Sequence, residues 1–396
     1  MKVLQLSNKP PQPTVDGGCI AINNISTGLI DLNIDLQILT ICTEKHPFLY
    51  EAFSEGFIDK TEIEAIFVDT RVNVIDAFSA LVTADSYNIS RFFSPDYSKR
   101  LTEILEENTF DIVHLESLFM TPYISIIRKY SKAKIVLRSH NLEHLIWQRL
   151  ANSTGNKAKK IYLKHLASKL KKYEHATINE VDGIAAISFE DTKKFKKMDC
   201  EPPIITIPFG INLGKYKPLK KTAELPLSFF HIGAMDWEPN KEAINWLLDD
   251  IWPSIRSKDI SLHLAGRKMP NYIKVLSEDN LHIYAEVKSA IDFMRKYDVL
   301  IAPLLSGSGM RVKIIEAMAL GKTIITTKIG AEGINYKNGE NIIIANSSDD
   351  IIAAIDKLIA NPSEISRIGD NARRLVEEQY DNSKIMKDLL KFYENL

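Results

Sequence analysis

The sequence predicts an α/β protein made of two domains, each built on a doubly wound parallel sheet. Short apolar runs alternate with amphipathic segments along the whole chain, which is typical of repeated strand–helix units. The runs are apolar on both faces, as expected for parallel strands that helices cover on two sides. Thirteen such runs occur, too many for one compact sheet of this kind. We therefore expect two Rossmann-like domains that face each other across a central cleft.

Seven apolar runs predict the strands of the first domain, and six predict those of the second. In chain order they are KVLQL, LQILTI, IEAIFV, DIVHL, KIVLR, GIAAIS and IITIPF, and then LSFFHIG, SLHLAG, LHIYAE, VLIAPLL, TIITT and NIIIA. Segments with apolar residues at helical spacing, such as NKEAINWLLDDIWPSIRS, are expected to form the helices between the strands.

A polar, charged segment between the two sets, KYKPLKKTAELP, contains two prolines and is typical of a linker. The last fifteen residues have an amphipathic pattern, and we expect them to form a helix that packs back on the first domain. The predicted organisation is an N-terminal domain over 1–215, a linker over 216–226, a C-terminal domain over 227–380 and the returning helix over 381–396.

The composition is that of a soluble globular protein. Of the 396 residues, 45% are hydrophobic and 26% are charged, as in ordinary globular domains. The net charge of -1 provides no general attraction to nucleic acid. Cys19, Cys42 and Cys200 are far apart and odd in number, so we expect reduced thiols in a cytoplasmic protein. We find no signal-peptide pattern and no apolar run long enough to span a membrane.

The segment SGSGMRVKIIEAMALG, Ser306 to Gly321, is the strongest candidate for a ligand site. A Gly/Ser loop follows the apolar run VLIAPLL and leads into a helix whose first turn carries Arg311 and Lys313. Backbone N–H groups and the helix dipole favour an anion at such a helix N-terminus. Two cations there would neutralise a diphosphate, and Glu316 could accept hydrogen bonds from a pair of sugar hydroxyls. The pattern therefore favours a nucleotide-diphosphate sugar.

A glycine-containing turn follows the first predicted strand. Asp16, Gly17 and Gly18 lie between that strand and a helix, where glycines permit a tight turn and the close approach of a ligand. Because the pattern is not GxGxxG, a ligand loop and a plain strand–helix turn both stay open.

His140 lies at the carboxyl end of a predicted strand, where the loops of parallel sheets face the ligand crevice. It could donate a hydrogen bond to a substrate hydroxyl or stabilise charge, although a lone histidine is more often structural. Glu143, in the same RSHNLEH segment, fits the opening of the next helix. His114 and Glu116 are weaker candidates at another strand end. No third ligand accompanies His140 and His144, so we expect no metal there.

No Asp-x-Asp pair occurs at a predicted strand end. Sugar transferases that hold their donor through a divalent cation usually need such paired carboxylates as hard oxygen ligands. We therefore expect a metal-independent site, in which Arg311, Lys313 and the helix dipole neutralise the phosphates.

A lysine-rich helix is predicted from Asn156 to His175. Its seven lysines flank an Ile/Leu stripe, so the helix could lie on an anionic bilayer. The alternative is a solvated helix whose apolar stripe faces the core, which we favour because most surface helices are built this way.

Taken together, these motifs resemble the retaining glycosyltransferases of the GT-B fold, in the large family 4 (glycosyl transferases group 1), over nearly the whole chain. The segment SGSGMRVKIIEAMALGKTIITT is similar to the family segment in which two glutamates frame the donor sugar. Glu316 matches the second of them, which binds the ribose hydroxyls in the family. RSHNLEH resembles the acceptor-domain segment whose histidine lies beside the reacting sugar. The resemblance implies His140, Lys313 and Glu316 as catalytic residues.

Two positions depart from the family pattern. Ser308 stands where the family has its first glutamate, so backbone N–H groups of Gly309 and Met310 are expected to serve instead. HIGAMDWEPNKEAINWLL resembles the start of the donor domain, where the family places an arginine and a lysine on the diphosphate. Lys241 matches the lysine, but that segment has no arginine. The expected donor-binding residues are Gly18, Lys241, Ser308, Gly309, Met310, Arg311, Lys313 and Glu316.

The resemblance implies a retaining glycosyltransferase that moves a hexose from a nucleotide-diphosphate sugar to a hydroxyl of a glycan or lipid-linked acceptor, in cell-surface polysaccharide biosynthesis. The nucleotide sugar is a substrate, and we expect no cofactor, no metal and no nucleic-acid partner. The enzyme would be cytoplasmic, with peripheral contact at the inner membrane face if the lysine-rich helix binds anionic lipid. Two alternatives stay open: a UDP-sugar 2-epimerase of the same fold, and a non-catalytic partner subunit of a transferase.

Overall fold

The chain folds into two compact units. A computed structural model describes residues 1–70, 87–219, 224–307 and 309–396. The first unit consists of Met1–Gly210 with Ser383–Leu396, and the second consists of Ile211–Asn382.

The border between the units lies slightly before the predicted linker, at Gly210. Ile211 belongs to the second unit because its N–H donates to the Tyr380 carbonyl at 2.9 Å and its carbonyl accepts from the Asn382 N–H at 3.0 Å. Within the predicted linker, residues 220–223 lie outside the part of the chain that the structure describes.

The first unit contains a seven-stranded parallel sheet in the order β3-β2-β1-β4-β5-β6-β7. Its strands are β1 (Lys2–Ser7), β2 (Asp35–Cys42), β3 (Glu64–Phe67), β4 (Ile112–Glu116), β5 (Lys134–Ser139), β6 (Gly183–Ala186) and β7 (Ile204–Thr206). The strand order reverses between β1 and β4. The loops that leave these two strands therefore diverge, and a crevice is expected at their carboxyl ends.

Helices cover both faces of this sheet. They are α1 (Gly17–Asp31), α2 (Glu55–Thr61), α3 (Tyr87–Ser90), α4 (Pro95–Glu107), α5 (Ile124–Tyr130), α6 (Glu143–Ser153), α7 (Lys157–Thr177) and α8 (Phe189–Lys196), with 3-10 turns at Tyr50–Ala52 and Leu118–Tyr123. Leu4 and Leu6 of β1 join one apolar cluster, and Val3 joins another. Successive strand residues point to opposite faces, so the two clusters cover the two sides of the sheet.

The second unit contains a six-stranded parallel sheet in the order β10-β9-β8-β11-β12-β13. Its strands are β8 (Leu227–Ile232), β9 (Ile260–Ala265), β10 (Leu281–Tyr284), β11 (Val299–Ala302), β12 (Thr323–Thr326) and β13 (Ile343–Ile344). Each of the thirteen predicted apolar runs forms a strand, and the predicted α/β class with two parallel sheets is confirmed.

The helices of the second unit begin after a 3-10 turn at Leu213–Lys215. They are α9 (Glu238–Trp246), a π-helical turn (Leu247–Ile251) that leads into α10 (Trp252–Ile255), α11 (Asn271–Lys274), α12 (Ala290–Lys296), α13 (Val312–Ala319), α14 (Ser348–Ala360) and α15 (Ser363–Gln379). A separate apolar cluster, with Phe229 of β8 and Leu358 of α14 among its members, forms the core of this unit.

The C-terminal helix α16 (Asn382–Glu394) returns to the first unit. Its Ile385, Met386, Leu389 and Tyr393 are buried in the same apolar cluster as Val3 of β1. The last turns of the chain therefore complete the core of the unit in which the chain began.

The lysine-rich helix is α7, and its apolar stripe faces the protein interior. Leu163, Leu166 and Leu170 are buried, which matches the favoured interpretation of an ordinary surface helix. Ile161 is 71% exposed and lies among the lysines. Across the residues that the structure describes, no helix has both the length and the apolar character needed to cross a membrane.

Candidate active site

The loop before α13 contains two glycines in the left-handed backbone region. Gly307 and Gly309 have φ of +98° and +81°, a region that other residues rarely adopt. A Cβ at Gly307 would also lie 3.2 Å from the Trp237 ring and 3.4 Å from Pro239. The backbone conformation therefore favours glycine at position 307, and a side chain there would be a tight fit. Ser308, expected in the donor site, lies outside the described residues.

Lys313 lies in the first turn of α13 and points toward the end of β8. Its ammonium donates to the Ile232 carbonyl at 3.0 Å and to Oδ1 of Asn240 at 2.8 Å, and lies 3.4 Å from Nε2 of His231. Burial, followed by the positive charge of Arg311, lowers the pKa of Lys313 to about 7. Near neutral pH, about half of the Lys313 side chains are therefore protonated.

His231 and Asn240 position this ammonium, and sequence reasoning did not single out either one. Nδ1 of the buried His231 lies 2.8 Å from the Ile301 carbonyl, so Nδ1 carries the proton and Nε2 faces Lys313 as an acceptor. Burial, together with the charge of Lys313, keeps the pKa of His231 well below its usual value. The amide of Asn240 donates to the Ala234 carbonyl at 2.9 Å, which turns its oxygen toward Lys313.

Arg311 is the second cation of this loop. It is buried, its guanidinium lies 5.5 Å from the centre of the Trp237 ring, and it donates to the Gly309 carbonyl. An aromatic ring at this distance stabilises a cation by about 0.5–2 kcal/mol. The structure thus places two positive charges, those of Arg311 and Lys313, at the N-terminus of α13.

Glu316 lies one turn further along α13. Its Oε1 accepts a 2.6 Å hydrogen bond from the Tyr216 hydroxyl. Burial raises the pKa of the Glu316 carboxyl, and the hydrogen bond from Tyr216 opposes that rise. Tyr216 was not singled out from the sequence, because it lies in the segment interpreted as a linker. The structure therefore places Lys313 and Glu316 on one short helix, with Arg311 at the N-cap position directly before it.

Met310 and Lys241 are the remaining described donor-site candidates of the second unit. Met310 lies beside Gly333, which has a φ of +82° and where a Cβ would be in ordinary van der Waals contact with the Met310 side chain at 3.5 Å. Lys241 lies on α9, and its ammonium pairs with Glu238 at 2.9 Å. Its expected role on the diphosphate stays a prediction.

In the first unit, His140 belongs to a polar network around the buried Glu116. Nε2 of His140 lies 2.7 Å from Oε2 of Glu116, and Arg138 donates to the same oxygen at 3.3 Å. Gln5 donates to Oε1 at 3.1 Å, and Nε2 of His114 lies 3.2 Å from it. Burial alone would raise the pKa of Glu116, but Arg138 and the two histidines hold it well below its usual range.

His114 and His140, the two candidate histidines of the first unit, have different surroundings in this network. His114 is fully buried, and its Nδ1 contacts the hydroxyl of Tyr393 on α16, so it links strand β4 to the C-terminal helix. His140 lies beyond the end of β5 and is held by Glu116 at one nitrogen. Burial lowers the pKa of His140 against the opposing effect of Glu116. His140 therefore remains the better catalytic candidate of the two.

Gly18 lies at the start of α1, beside a small group of charged residues. Asp16 caps this helix by accepting the Cys19 N–H at 2.9 Å, and its carboxylate pairs with Lys9 at 2.9 Å and with His46 at 2.9 Å. A Cβ at Gly18 would meet the end of the Lys9 side chain. The turn thus presents Lys9 next to the helix N-terminus, where an anion is favoured.

Asp16, Cys19 and His46 are the one group of described residues whose donor atoms lie close enough, within 4.8 Å, to share a metal ion. The Asp16 carboxylate is already bound by the Lys9 ammonium. Burial raises the pKa of the Cys19 thiol to about 11, whereas a metal binds the thiolate. A cation would have to displace Lys9 and deprotonate Cys19, so this group gives no support to a metal site.

Comparison with known proteins places the donor-site candidates of the second unit in a recognised family segment. Residues 226–361 match the family model described as Glycosyl transferases group 1, and Lys241, Arg311, Lys313 and Glu316 lie within that range. An uncharacterised 44.6 kDa protein from the cps region of Klebsiella pneumoniae is 25% identical over 307 residues, which are 74% of this chain and 76% of that protein.

Solved structures share the fold over the full chain. Sucrose-phosphate synthase from Thermosynechococcus elongatus has a TM-score of 0.71 at 14% identity, covering 100% of this chain and 99% of its own. HepE from Anabaena, solved in complex with UDP, has a TM-score of 0.68 at 13% identity, covering 100% of both chains. The chain therefore has the GT-B fold, and these similarities together support a glycosyltransferase of that fold.

Proposed function

We propose that this protein is a retaining, metal-independent glycosyltransferase that moves a hexose from a nucleotide-diphosphate sugar to a hydroxyl of a glycan or lipid-linked acceptor. The observation that carries the proposal is the partly buried Lys313 ammonium beside the buried Arg311 at the N-terminus of α13. Two cations and a helix dipole at one point favour a group with two negative charges. A nucleotide diphosphate has this charge, and HepE, which shares the fold, was solved with UDP.

Different residues of the second unit would bind different parts of the donor. Arg311 and Lys313 would neutralise the diphosphate, and their charges would stabilise it further as it leaves. Glu316, held by the Tyr216 hydroxyl, would accept hydrogen bonds from the ribose hydroxyls. With the diphosphate neutralised by side chains and the helix dipole, the donor needs no bridging divalent cation, which is why we propose a metal-independent reaction.

The proposed reaction is a front-face transfer with retention of configuration. The bond from the anomeric carbon to the phosphate oxygen breaks, and its electron pair leaves with the nucleoside diphosphate. The acceptor hydroxyl oxygen forms the new bond on the same face of the sugar, and its proton passes to the departing phosphate. His140, held by Glu116 at 2.7 Å, would stabilise the reacting sugar from the first unit.

The acceptor is proposed to be a growing cell-surface polysaccharide or its lipid-linked precursor. Support comes from the similar protein of Klebsiella pneumoniae, which is encoded in a cps region. No resident cofactor is part of the proposal, because the nucleotide sugar supplies both the sugar and the leaving group. Peripheral contact with an anionic membrane would bring the enzyme to a lipid-linked acceptor.

The decisive experiment is a donor panel. The protein is incubated with UDP-, GDP- and TDP-hexoses, with and without EDTA, and nucleotide binding and release are measured. We expect at least one donor to bind and to release its nucleoside diphosphate, with no effect of EDTA. Lys313→Met should abolish donor binding, whereas Lys337→Met, which removes a more exposed lysine of the same unit, should not.

Failure of every donor to bind would overturn the proposal. Donor isomerisation without an acceptor would favour the 2-epimerase alternative, and donor binding without turnover on any acceptor would favour the non-catalytic subunit. A donor that binds only with a divalent cation would contradict the metal-independent part.

A further inference from the structure

The buried carboxylate of Glu116, at the end of β4, has four hydrogen-bond partners among the described residues, two on each oxygen. Gln5 donates to Oε1 at 3.1 Å, and Nε2 of His114 lies 3.2 Å from the same oxygen. Arg138 donates to Oε2 at 3.3 Å, and Nε2 of His140 lies 2.7 Å from it. A carboxylate offers about two acceptor positions on each oxygen, so these four partners occupy the group completely.

Glu116 is ionised, and it therefore accepts from all of these partners. Burial alone would raise its pKa, but Arg138 and the two histidines hold the pKa well below its usual range. An ionised carboxylate has no proton to donate. The amide of Gln5 is oriented independently, because the Ser26 hydroxyl donates to its Oε1 at 2.8 Å. The NH₂ group of Gln5 is thus the end that faces Glu116.

The proton of the His140 ring must consequently lie on Nε2, the nitrogen that meets Glu116. The charge of Glu116 is already balanced by Arg138, and burial favours the neutral form of His140 by lowering its pKa. In a neutral imidazole with its proton on Nε2, Nδ1 is an acceptor. Nδ1 of His140 has no hydrogen-bond partner among the described residues, so it is available to a group that can donate.

The same network reaches the C-terminal helix α16. Since Glu116 accepts from Nε2 of His114, the other nitrogen of that ring, Nδ1, accepts from the Tyr393 hydroxyl. A continuous series of hydrogen bonds therefore joins Tyr393, His114, Glu116 and His140. The last turns of the chain help to hold the carboxylate that holds His140.

We propose that Glu116 is a positioning residue that fixes the tautomer of His140, so that Nδ1 of His140 accepts a hydrogen bond from a hydroxyl of a reacting sugar. The part that concerns the sugar rests on the proposed function. The sequence allowed His140 to donate to a hydroxyl or to stabilise charge, whereas the network makes it an acceptor. A phosphate oxygen or a carboxylate offers only lone pairs to an unprotonated nitrogen, but a sugar hydroxyl can donate.

Nitrogen NMR of the full chain labelled with ¹⁵N-histidine tests the tautomer directly. Two-bond proton–nitrogen correlations distinguish rings protonated on Nε2 from rings protonated on Nδ1, and the signals lost in His140→Phe assign His140. At pH 8 we expect the Nε2-protonated form. A proton on Nδ1 of His140 would overturn the inference. This measurement needs neither a substrate nor a change at Glu116.

Glu116→Gln tests the positioning role in the assay. The amide can either accept from or donate to Nε2 of His140, so the tautomer is no longer fixed and kcat should fall on the order of tenfold.

The pH profile separates this role from a structural one. Activity should be lost as the pH falls through the pKa of His140, because protonation of Nδ1 removes the acceptor. The charges that act on His140 are those of Glu116, Arg138 and Lys9, and Glu116 alone among these raises its pKa. Glu116→Gln should therefore move the acid limb of kcat/KM to lower pH. An acid limb that stays in place would contradict the proposed role.

The matched control is Glu174→Gln. Glu174 of α7 is also buried and also contacts a histidine, Nδ1 of His144, but its described hydrogen bonds go to the start of α6 rather than to His140. This variant should lower the melting temperature, because the helix start loses its cap, and should leave the tautomer of His140 and the acid limb unchanged.

Deoxy sugars identify the contacted hydroxyl and its source. Single-deoxy forms of the donor hexose, and of octyl glycosides of glucose, galactose, mannose and N-acetylglucosamine as acceptors, are compared in the wild type and in His140→Phe. The analogue that lacks the contacted hydroxyl should lose about tenfold in kcat/KM with the wild type and nothing further with the variant. A donor analogue with this behaviour assigns the contact to the donor sugar, and an acceptor analogue assigns it to the acceptor.

Additive losses with every analogue would overturn the hydroxyl contact. If a donor still binds in that case, the proposed function stands without this inference.

Discussion

At the scale of single residues, Lys313 decides how the proposed donor site works. Its described contacts are a carbonyl, an amide oxygen and an imidazole nitrogen, with no carboxylate among them. Burial and the charge of Arg311 therefore lower its pKa to about 7. A bound diphosphate would supply the missing negative charge and raise that pKa again. Donor binding and protonation of Lys313 are thus expected to be coupled.

This coupling predicts a pH dependence of donor affinity. Below about pH 7, Lys313 is already protonated in the free protein, and binding should move no proton. Between about pH 7 and its ordinary pKa of 10.5, free Lys313 is neutral, so binding should take up one proton and affinity should fall by up to about tenfold per pH unit. Calorimetry at pH 8 in buffers of different ionisation enthalpy measures the uptake.

The control for this prediction is Lys313→Arg. A guanidinium stays charged throughout this range, so donor affinity in the variant should not change between pH 7 and pH 9. Donor binding to the wild type at pH 8 without proton uptake would show that Lys313 is not the group that meets the diphosphate.

Glu316 and Tyr216 support a second prediction. Glu316→Ala should weaken donor binding by about 2 kcal/mol, as expected for the loss of hydrogen bonds to a charged group. Tyr216→Phe removes the hydroxyl that donates to Glu316 and should cost about 1 kcal/mol. Titration calorimetry with the nucleoside diphosphate measures both losses. Tyr272→Phe, which changes an exposed tyrosine of the same unit, should bind normally, and full affinity in Glu316→Ala would contradict the ribose assignment.

The sequence identified the residues of α13 but not the residues that position them. Arg311, Lys313 and Glu316 are close along the chain, so helical spacing alone predicts that they lie together. His231 and Tyr216 reach the same helix from positions 82 and 100 residues away. Their partnership depends on which strands neighbour each other in the sheet, and local patterns carry no information about that arrangement.

At the scale of secondary-structure elements, α7 shows how one pattern fits two functions. The Leu residues of its stripe are buried in the first unit, so they are not available to a bilayer. What remains outside is a row of lysines with the exposed Ile161 and Tyr162. Such a face can bind an anionic surface mainly through charge, with each lysine contributing about 1 kcal/mol near it.

We therefore predict weak, salt-sensitive binding of the protein to anionic liposomes, without insertion. Co-sedimentation at low salt should recover the wild type with the vesicles, and 0.5 M salt should release it, because the charges are then screened. Changing Lys157, Lys159, Lys160 and Lys164 to Gln should abolish binding and leave donor hydrolysis intact. Changing Lys193, Lys194, Lys196 and Lys197 of the α8 region to Gln is the matched control. Wild-type protein that ignores the vesicles would make α7 an ordinary solvated helix.

At the scale of the whole molecule, the sequence predicted the fold class because buried parallel strands are apolar on both faces. Runs such as LQILTI and VLIAPLL need no partner information to be recognised as strands. The order of the strands is different, since nothing in KVLQL shows that β1 lies between β2 and β4. The border at Gly210 was also missed, because the pairing of Ile211 with residues near position 381 leaves no local pattern in the sequence.

The two units have separate apolar cores among the described residues. Leu389 of α16 is fully buried in a cluster of the first unit, and Leu358 of α14 is almost fully buried in the cluster of the second. Each unit is therefore stabilised by its own apolar core. A ligand of the second unit should stabilise that unit directly, because its binding free energy is lost when that unit unfolds.

These separate cores predict two unfolding transitions that can be shifted independently. Each leucine-to-alanine change should cost about 2–5 kcal/mol, so Leu389→Ala should lower the transition of the first unit and Leu358→Ala that of the second. A nucleoside diphosphate at one hundred times its Kd should stabilise the second unit by about 2.7 kcal/mol. Differential scanning calorimetry with and without this ligand measures each effect, and the ligand-shifted transition should be the one that Leu358→Ala lowers. A single transition that both substitutions and the ligand move together would show that the units unfold as one, since cooperativity across the whole chain leaves no separate transition to shift.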